Sequence, residues 1–289
     1  MGREYFTFPL KGAIRTPLVF DDIQGSRFTP GPQHEMAAEN FPGETLGASP
    51  FALKLARFAR QTGRAPTSIR SLMTAKRTFE PGVQLMQQGL SGGVAYIIED
   101  GWTFSSNLLR NGARQILDTQ IPGDVAGFQS LARSSNAIDL TAMTRVVATE
   151  IRFSAVMKAA STDPHLSAFF FWLSSIEHAI ASERLAGIGR RSSIERMAHL
   201  ILELSTRLRL SGLRTDAGFA CPMTQYLIGD ALGLTSVHVN RVLRDLRTQG
   251  LAHYHRGWIS LLDVAALHEI SGFDDAYLTS EDALLPEAV

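Results

Sequence analysis

The sequence predicts an α+β fold in three parts: a β-barrel or jelly-roll domain, one long helix, and a C-terminal winged helix-turn-helix. Short strand-like runs separated by glycine-containing turns fill residues 77–153, which is typical of small β-barrels. An apolar repeat with a seven-residue period follows over residues 163–186. A helix, turn, helix, hairpin pattern then occupies residues 219–261 and defines the third part.

These patterns divide the chain into five predicted segments. They are an N-terminal arm that we expect to be disordered (1–50), the β-barrel domain (51–160), the long helix with a hinge (161–189), the winged domain (190–273) and an acidic tail (274–289). The arm is predicted to be disordered because it holds half of the prolines and shows no sustained hydrophobic period.

Composition excludes several classes of protein. The 289 residues are 45% hydrophobic and 19% charged with no net charge, as in ordinary globular proteins with room for two domains. The sequence lacks an apolar run of membrane-spanning length and a signal-peptide pattern, so we expect a cytoplasmic protein that does not enter the membrane. Its single cysteine, Cys221, rules out an intrachain disulfide and an all-cysteine metal site, and we predict it to be packed in a strand.

The helix-turn-helix carries the most specific pattern in the chain. Thr224 is placed to cap a short helix that ends at Ala231, and Leu232-Gly233-Leu234 forms a tight turn. A second helix runs from about Thr235 to Gln249, where Gly250 stops it. Its predicted buried stripe is Val239, Val242, Leu243 and Leu246.

The opposite face of the second helix and the hairpin carry donors suited to DNA. A helix is slim enough for the major groove, where base edges and phosphates can be contacted. The candidate DNA-binding residues are Thr224, Thr235, Ser236, Val237, His238, Asn240, Arg241, Arg244, His255 and Arg256. The other interpretation of this region is a plain αα-corner, but residues 184–260 hold eleven arginines against five acidic residues, which favours a phosphate-facing module.

Upstream, the barrel region contains six predicted strands. Asn111-Gly112 is a strong hairpin turn between two of them. The predicted strands are 77–79, 84–87, 94–99, 102–109, 114–121 and 140–153, preceded by helices over 51–61 and 67–75.

The long helix starts at Asp163-Pro164 and has an apolar stripe at heptad spacing. The stripe is either buried on the chain's own barrel or forms a parallel homodimer seam, and we favour the seam because the helix is rich in aromatic residues. The predicted interface residues are Leu166, Phe169, Leu173, Ile176 and Ile180. Gly187-Ile188-Gly189 is predicted to break the helix, and Ser192 with Glu195 forms a capping box for the next one.

Residues 223–246, MTQYLIGDALGLTSVHVNRVLRDL, resemble the DNA-binding motif of the Crp/Fnr family of bacterial transcription regulators. The order of parts is also similar over roughly residues 51–273. The resemblance implies a cyclic-nucleotide-binding-like sensor domain, a homodimer on a two-fold DNA operator, RNA polymerase as a partner and a small-molecule effector.

The sensor pocket departs from the cyclic-nucleotide binders of that family. In those proteins a Gly-Glu pair opens a short helix, and an Arg-Ser or Arg-Thr pair follows, which together hold the ribose and the phosphate. Here Gly127 is followed by Phe128 and Gln129, and Asn136-Ala137 stand at the second pair. Arg133-Ser134 lies three residues too early, so cyclic AMP is not the expected effector.

Other chemistry finds little support in the sequence. His253 and His255 share a strand face without a third ligand, so we expect no metal site and no cofactor; His165 and His178 are haem-ligand candidates only by location. Nucleophile, zinc-helix and phosphate-loop motifs do not occur, so an enzyme is not expected. The competing function is a sensing or scaffold protein whose helix-turn-helix contacts a protein partner.

Overall fold

The computed structural model describes residues 49–73, 75–214 and 216–279. The predicted N-terminal arm, except for its last two residues, lies outside the described residues, as does the end of the tail after residue 279. The first described helix, α1 (Pro50–Thr62), begins at Ser49, whose hydroxyl accepts a hydrogen bond from the amide of Ala52.

The first domain consists of two four-stranded antiparallel sheets in a jelly-roll-like arrangement. The sheet orders are β1-β8-β3-β6 and β2-β7-β4-β5. The strands are β1 (Ala75–Phe79), β2 (Gln84–Met86), β3 (Val94–Asp100), β4 (Thr103–Leu108), β5 (Arg114–Gln120), β6 (Val125–Ala126), β7 (Asp139–Ala142) and β8 (Val146–Arg152). Tyr96, Ile98, Leu140 and Ala148 belong to one buried cluster shared by the two sheets. The α+β prediction is confirmed, with two facing sheets in place of a closed barrel.

The predicted single strand over 140–153 is wrong, because the chain changes sheets at Met143. The Met143 amide donates to the carbonyl of Trp102, which ends β7, and Val146 then starts β8 in the other sheet. Phe153 opens a helix and does not end a strand. The short helices around the sheets are α2 (Ile69–Leu72), α3 (Phe128–Leu131) and α4 (Phe153–Ala160).

The long helix α5 (Pro164–Arg190) begins as predicted, with the Asp163 carboxylate capping it. It continues through Gly187 and Gly189, so the predicted break is wrong. The Arg191 amide donates to the Gly187 carbonyl, and one or two glycines cost a helix only about 1 kcal/mol each, which packing offsets.

The predicted dimer seam on α5 is wrong in its choice of face. Leu166, Phe169, Leu173 and Ile180 are buried inside the chain itself, and Ile176 is half-buried against the same cores. Leu166, Phe169 and Leu173 share a core with α1, more than a hundred residues upstream, whereas Ile180 belongs to the core that contains the next helix, Ser193–Leu210. The Phe58 ring of α1 lies 5.3 Å from the Phe169 ring at a steep angle, an attractive edge-to-face contact.

The winged domain follows the predicted order and adds one strand. Its elements are α6 (Ser193–Leu210), β9 (Gly218–Ala220), α7 (Gln225–Leu232), α8 (Ser236–Thr248), β10 (Ala252–His255), β11 (Trp258–Leu261), α9 (Val264–Ser271) and α10 (Ala276–Thr279). The strand β9 pairs with β11 and completes a three-stranded sheet, one strand more than the predicted hairpin. Both sides of the predicted Ser192–Glu195 capping box are formed.

The start of the predicted acidic tail is docked on the body. Leu278 of α10 is buried, and the Arg57 guanidinium of α1 donates to its carbonyl oxygen. Among the described residues, none of the helices is both long and apolar enough to cross a membrane.

Candidate nucleic-acid interface

The two helices of the helix-turn-helix cross closely at a glycine. A Cβ atom on Gly229 of α7 would lie 2.6 Å from the carbonyl oxygen of Leu234, so only glycine fits there. Gly233 ends α7 with a φ of +66°, a conformation that glycine adopts without strain. These two residues set the angle at which α8 leaves the turn.

The helix α8 presents one polar face to solvent. Val239, Val242 and Leu246 are buried and Leu243 is half-buried, so the predicted stripe is confirmed. The exposed residues on the other side are Val237, Asn240, Arg241 and Arg244, and the side chain of Val237 is 80% exposed. An amphipathic helix with exposed polar and basic side chains on its outer face has the form required to enter a major groove.

The two threonines among the candidate residues cap helices. Thr224 Oγ1 accepts from the Leu227 amide at 3.3 Å, and Thr235 Oγ1 accepts from the His238 amide at 3.2 Å. Each hydroxyl therefore fixes the start of its helix. Ser236, the first residue of α8, is half-buried.

Three of the candidate side chains on α8 are connected to neighbouring helices or to each other. Arg241 Nη2 lies 2.9 Å from His238 Nε2, which in turn lies 3.1 Å from Ser193 Oγ at the start of α6. Asn240 Nδ2 donates to Gln225 Oε1 of α7 at 3.4 Å. The sequence analysis missed Ser193 and Gln225, because their proximity to α8 depends on how three helices pack.

The wing is a two-residue turn between β10 and β11. Arg256 occupies it with a φ of +49°, followed by Gly257, and both His255 and Arg256 are exposed at its tip. The rings of His253 and His255 stack at 5.8 Å. Within the part of the chain that the structure describes, histidine, cysteine and acidic side chains nowhere cluster in threes as a metal site would need.

Comparison with known proteins assigns both halves of the chain. A family model described as a Crp-like helix-turn-helix domain matches residues 195–270, and one described as a cyclic nucleotide-binding domain matches residues 76–163. The anaerobic regulatory protein of Pasteurella multocida is 26% identical over 202 residues, which cover 70% of this chain and 74% of the relative. The fumarate and nitrate reduction regulatory protein of Escherichia coli is 24% identical over 70% of this chain and 80% of its own length.

The fold agrees with a solved regulator. The structure of FixK2 from Bradyrhizobium japonicum matches with a TM-score of 0.63 and 27% identity, covering 68% of this chain and 96% of that one. The chain belongs to the Crp/Fnr family of transcription regulators. Members of this family bind DNA, act as dimers and are regulators, not enzymes.

In this Crp/Fnr regulator, two of the counted arginines, Arg184 and Arg207, belong to a buried network of ion pairs and not to the outer face of α8. Arg207 of α6 contacts Asp118, Asp124 and Glu203 at 3.2, 2.7 and 3.2 Å. Arg184 of α5 contacts Asp118 and Glu203, both at 2.8 Å. Asp118 lies in β5 and Asp124 lies directly before β6, so this buried network joins the sensor domain, the long helix and the DNA-binding domain.

The network determines the charge state of its members. Burial alone would raise the pKa of Asp124, but Lys54 and Arg207 outweigh it and hold the pKa well below its usual range. Glu203, only 1% exposed, likewise has its pKa lowered against the effect of burial by Arg184 and Arg207. Both carboxylates are therefore ionised at neutral pH and depend on the guanidinium groups.

The helix-turn-helix also rests directly on the sensor sheet. Arg114 of β5 forms an ion pair with Asp230 of α7 at 2.6 Å, and Gln115 Nε2 donates to the Asp230 carbonyl at 2.8 Å. The sensor domain thus contacts the first helix of the motif without an intervening element.

The residues at the sensor pocket do not fit a cyclic nucleotide. Phe128 stands where a carboxylate is needed, and its ring stacks on Phe170 of α5 at 5.7 Å. Asn136 is buried and donates to the Gln87 carbonyl, while the Ala137 amide donates to Ser130 Oγ at 3.0 Å. The Asn136 amide nitrogen and the Ala137 amide are thus bonded within the protein, and neither residue supplies the positive charge that would bind a phosphate. Gln129 is exposed, and Gly127 caps α3 with a φ of +77°.

Cys221 and the two histidines considered as haem ligands do not form a common site. Cys221 is buried just after β9, not within a strand as predicted, and burial raises its pKa to about 12, so it is an unreactive thiol. His165 and His178 both lie on α5, about 20 Å apart along the helix, so they do not converge on one haem.

Proposed function

We propose that this regulator binds a two-fold DNA operator as a homodimer, with α8 of each protomer in the major groove. The proposal rests on the outer face of α8, where the side chains of Asn240, Arg241 and Arg244 are exposed beside Val237, which is also largely exposed. The two copies of α8 must enter grooves one turn apart, roughly 34 Å. Because the DNA is in the bacterial cytoplasm, we place the protein there, with RNA polymerase as its partner in transcription.

The proposed dimer uses the outer stripe of α5. Phe171, His178 and Leu185 are seven residues apart, and Phe171 and Leu185 are 77% and 73% exposed. The positions three residues after each of them are Ser174, Ala181 and Ile188, all exposed. A 3-4 alternation of this kind is the heptad pattern of a two-stranded coiled coil. This face therefore replaces the seam predicted from the sequence.

The proposed base reading follows from three side chains. Arg241 can donate to both acceptors of a guanine, and Asn240 can serve an adenine or a phosphate. Val237, in contrast, has only methyl groups, which suit the methyl of a thymine. In the family this position usually holds a glutamate that accepts a hydrogen bond from cytosine. The half-site of this protein should therefore differ from the family's usual half-site at the base facing Val237.

Replacing Arg241 with alanine tests the reading helix. We expect Arg241→Ala to weaken binding to a selected operator by about 1–3 kcal/mol per half-site and to relax the preference for guanine at one position. Binding titrations on the operator and on single-base variants measure both effects. Unchanged affinity together with unchanged base preference would show that α8 does not read the DNA.

The matched control is Arg256→Ala at the wing tip. Because Arg256 is placed to contact phosphate, this change should weaken all sequences alike and reduce the dependence of affinity on salt. Salt also distinguishes the competing function. Binding to a protein partner through the helix-turn-helix would not release condensed counterions, and would show little of the steep salt dependence that DNA binding requires.

The effector is proposed to be something other than cyclic AMP. The contacts missing at Phe128, Asn136 and Ala137 include a charge-assisted phosphate bond, each such bond contributing about 1.5–3 kcal/mol. We expect calorimetry to detect no binding of cyclic AMP at micromolar concentrations, and cyclic AMP to leave operator affinity unchanged. Micromolar affinity in that titration would contradict the proposal.

A further inference from the structure

The Arg241 side chain, which is proposed to read a guanine, is held by a histidine from the same helix. His238 lies three residues before Arg241, so both side chains project from the same side of α8. Arg241 Nη2 approaches His238 Nε2 at 2.9 Å, and Ser193 Oγ approaches the same nitrogen at 3.1 Å. One ring nitrogen therefore connects the base-reading residue to the first turn of α6.

The chemistry of the three groups fixes the direction of these contacts. A guanidinium can only donate, so His238 Nε2 must be the acceptor from Arg241, and the ring must carry its proton on Nδ1. The Ser193 hydroxyl then also donates to Nε2 and shares the single lone pair of that nitrogen with Arg241. Arg241 gives one of its five N–H groups to this contact, and the remaining four stay available to a guanine. The contact therefore orients the guanidinium and leaves most of its donors available for DNA.

Ser193 gives this contact a rigid support. It is the first residue of α6, directly after Ser192, whose capping box fixes the helix start. The neighbouring Arg196 of α6 donates through Nη1 to the Leu232 carbonyl at the turn of the motif, at 2.6 Å. The start of α6 is thus bound to the helix-turn-helix at two places, and His238 is half-buried between α6 and the exposed Arg241.

We propose that His238 is a positioning residue that determines specificity by holding Arg241 ready to read a guanine. The inference rests on the proposed function, because it assumes that Arg241 reads a base. An arginine side chain has much rotamer freedom, and immobilising such a side chain costs free energy on binding. Because His238 already orders Arg241 in the free protein, less conformational entropy is lost on binding. The gain in affinity applies only to DNA that contains the guanine.

The test compares His238→Ala with His238→Gln on the full chain. We expect His238→Ala to weaken binding to the selected operator by about threefold to tenfold per half-site, the fold-change equivalent to the cost of ordering one side chain. The same change should leave affinity for a duplex lacking the guanine within about twofold. Gln carries an acceptor oxygen near the place of Nε2, so His238→Gln should restore most of the discrimination.

Two further variants keep the outcomes distinct. Ser193→Ala removes the support and should lose part of the discrimination, while His165→Ala, a half-buried histidine at the start of α5, should change nothing. Thermal melting of each variant checks that the helix-turn-helix is still folded.

The results that would overturn the inference differ from those that overturn the proposed function. If Arg241→Ala loses guanine preference but His238→Ala keeps it, His238 does not position Arg241. If His238→Ala weakens every sequence alike and lowers the salt dependence, then His238 is a phosphate contact. If Arg241→Ala itself changes nothing, the reading helix is wrongly assigned and the positioning role falls with it.

Discussion

Leu185→Glu should convert the proposed dimer into a monomer. In a parallel pair of α5 helices, residues at the same heptad position face each other, so this change brings two carboxylates together where two leucines met. Pairing such charges in a seam is costly, and the exposed stripe has few other apolar residues to compensate. Sedimentation at micromolar concentration measures the change directly.

The loss of the dimer should carry through to DNA binding. A monomer engages one half-site at a time, so the gain from linking two half-sites is lost, which is a factor of about a hundred or more. Leu262→Glu is the matched control, since Leu262 is 56% exposed in the winged domain and lies outside the stripe. A Leu185→Glu protein that still sediments as a dimer would place the interface elsewhere.

The buried leucine on the other face of α5 gives an informative contrast. Leu173 packs with the aromatic rings of α1 and α5 and is 3% exposed. Leu173→Glu should therefore unfold the protein, because it buries an unpaired charge in the chain's own core. Near-native stability of that variant would contradict the internal packing of this face.

Arg207→Met should destabilise the fold by about 3–5 kcal/mol, since it removes the one guanidinium that contacts all three carboxylates of the buried network. Arg207 serves Asp118, Asp124 and Glu203, and only Arg184 and Lys54 would then offset their charge. Denaturant titration at pH 7 measures the loss. Arg209→Met on the same helix is the matched control, because Arg209 is half-exposed, pairs with Asp275 at 3.4 Å, and should cost less than about 1 kcal/mol.

The pH dependence of this loss has a definite sign. The folded pKa of Asp124 and of Glu203 is lowered, so their stabilising contribution is complete above the pKa of the unfolded chain and disappears as pH falls through the folded pKa. The deficit of Arg207→Met should therefore be largest near neutral pH and should narrow below about pH 4, where the carboxyl groups of the variant become protonated. Equal deficits for the Arg207 and Arg209 variants would mean that the network adds no stability.

Local sequence signals predicted the DNA-binding end of this chain well. The caps at Thr224 and Thr235, the turn at Gly233 and the buried stripe of α8 all depend on residues within a few positions of each other. Such features follow from hydrogen bonding and helical periodicity alone, so they could be read before any tertiary contact was known. The order of these local signals along the chain was sufficient to predict the fold class and the family resemblance.

Contacts between distant segments were decided only by the tertiary structure. The helix α5 carries two apolar stripes, and the sequence favoured the richer one, Leu166 to Ile180, as a dimer seam. That stripe is buried because α1, from a hundred residues away, packs with its first part and α6 shares a core with Ile180, which leaves the poorer stripe at Phe171 and Leu185 exposed. The links from Arg241 through His238 to Ser193 arise in the same way, since periodicity determines which side chains share a face but not which helix packs against that face.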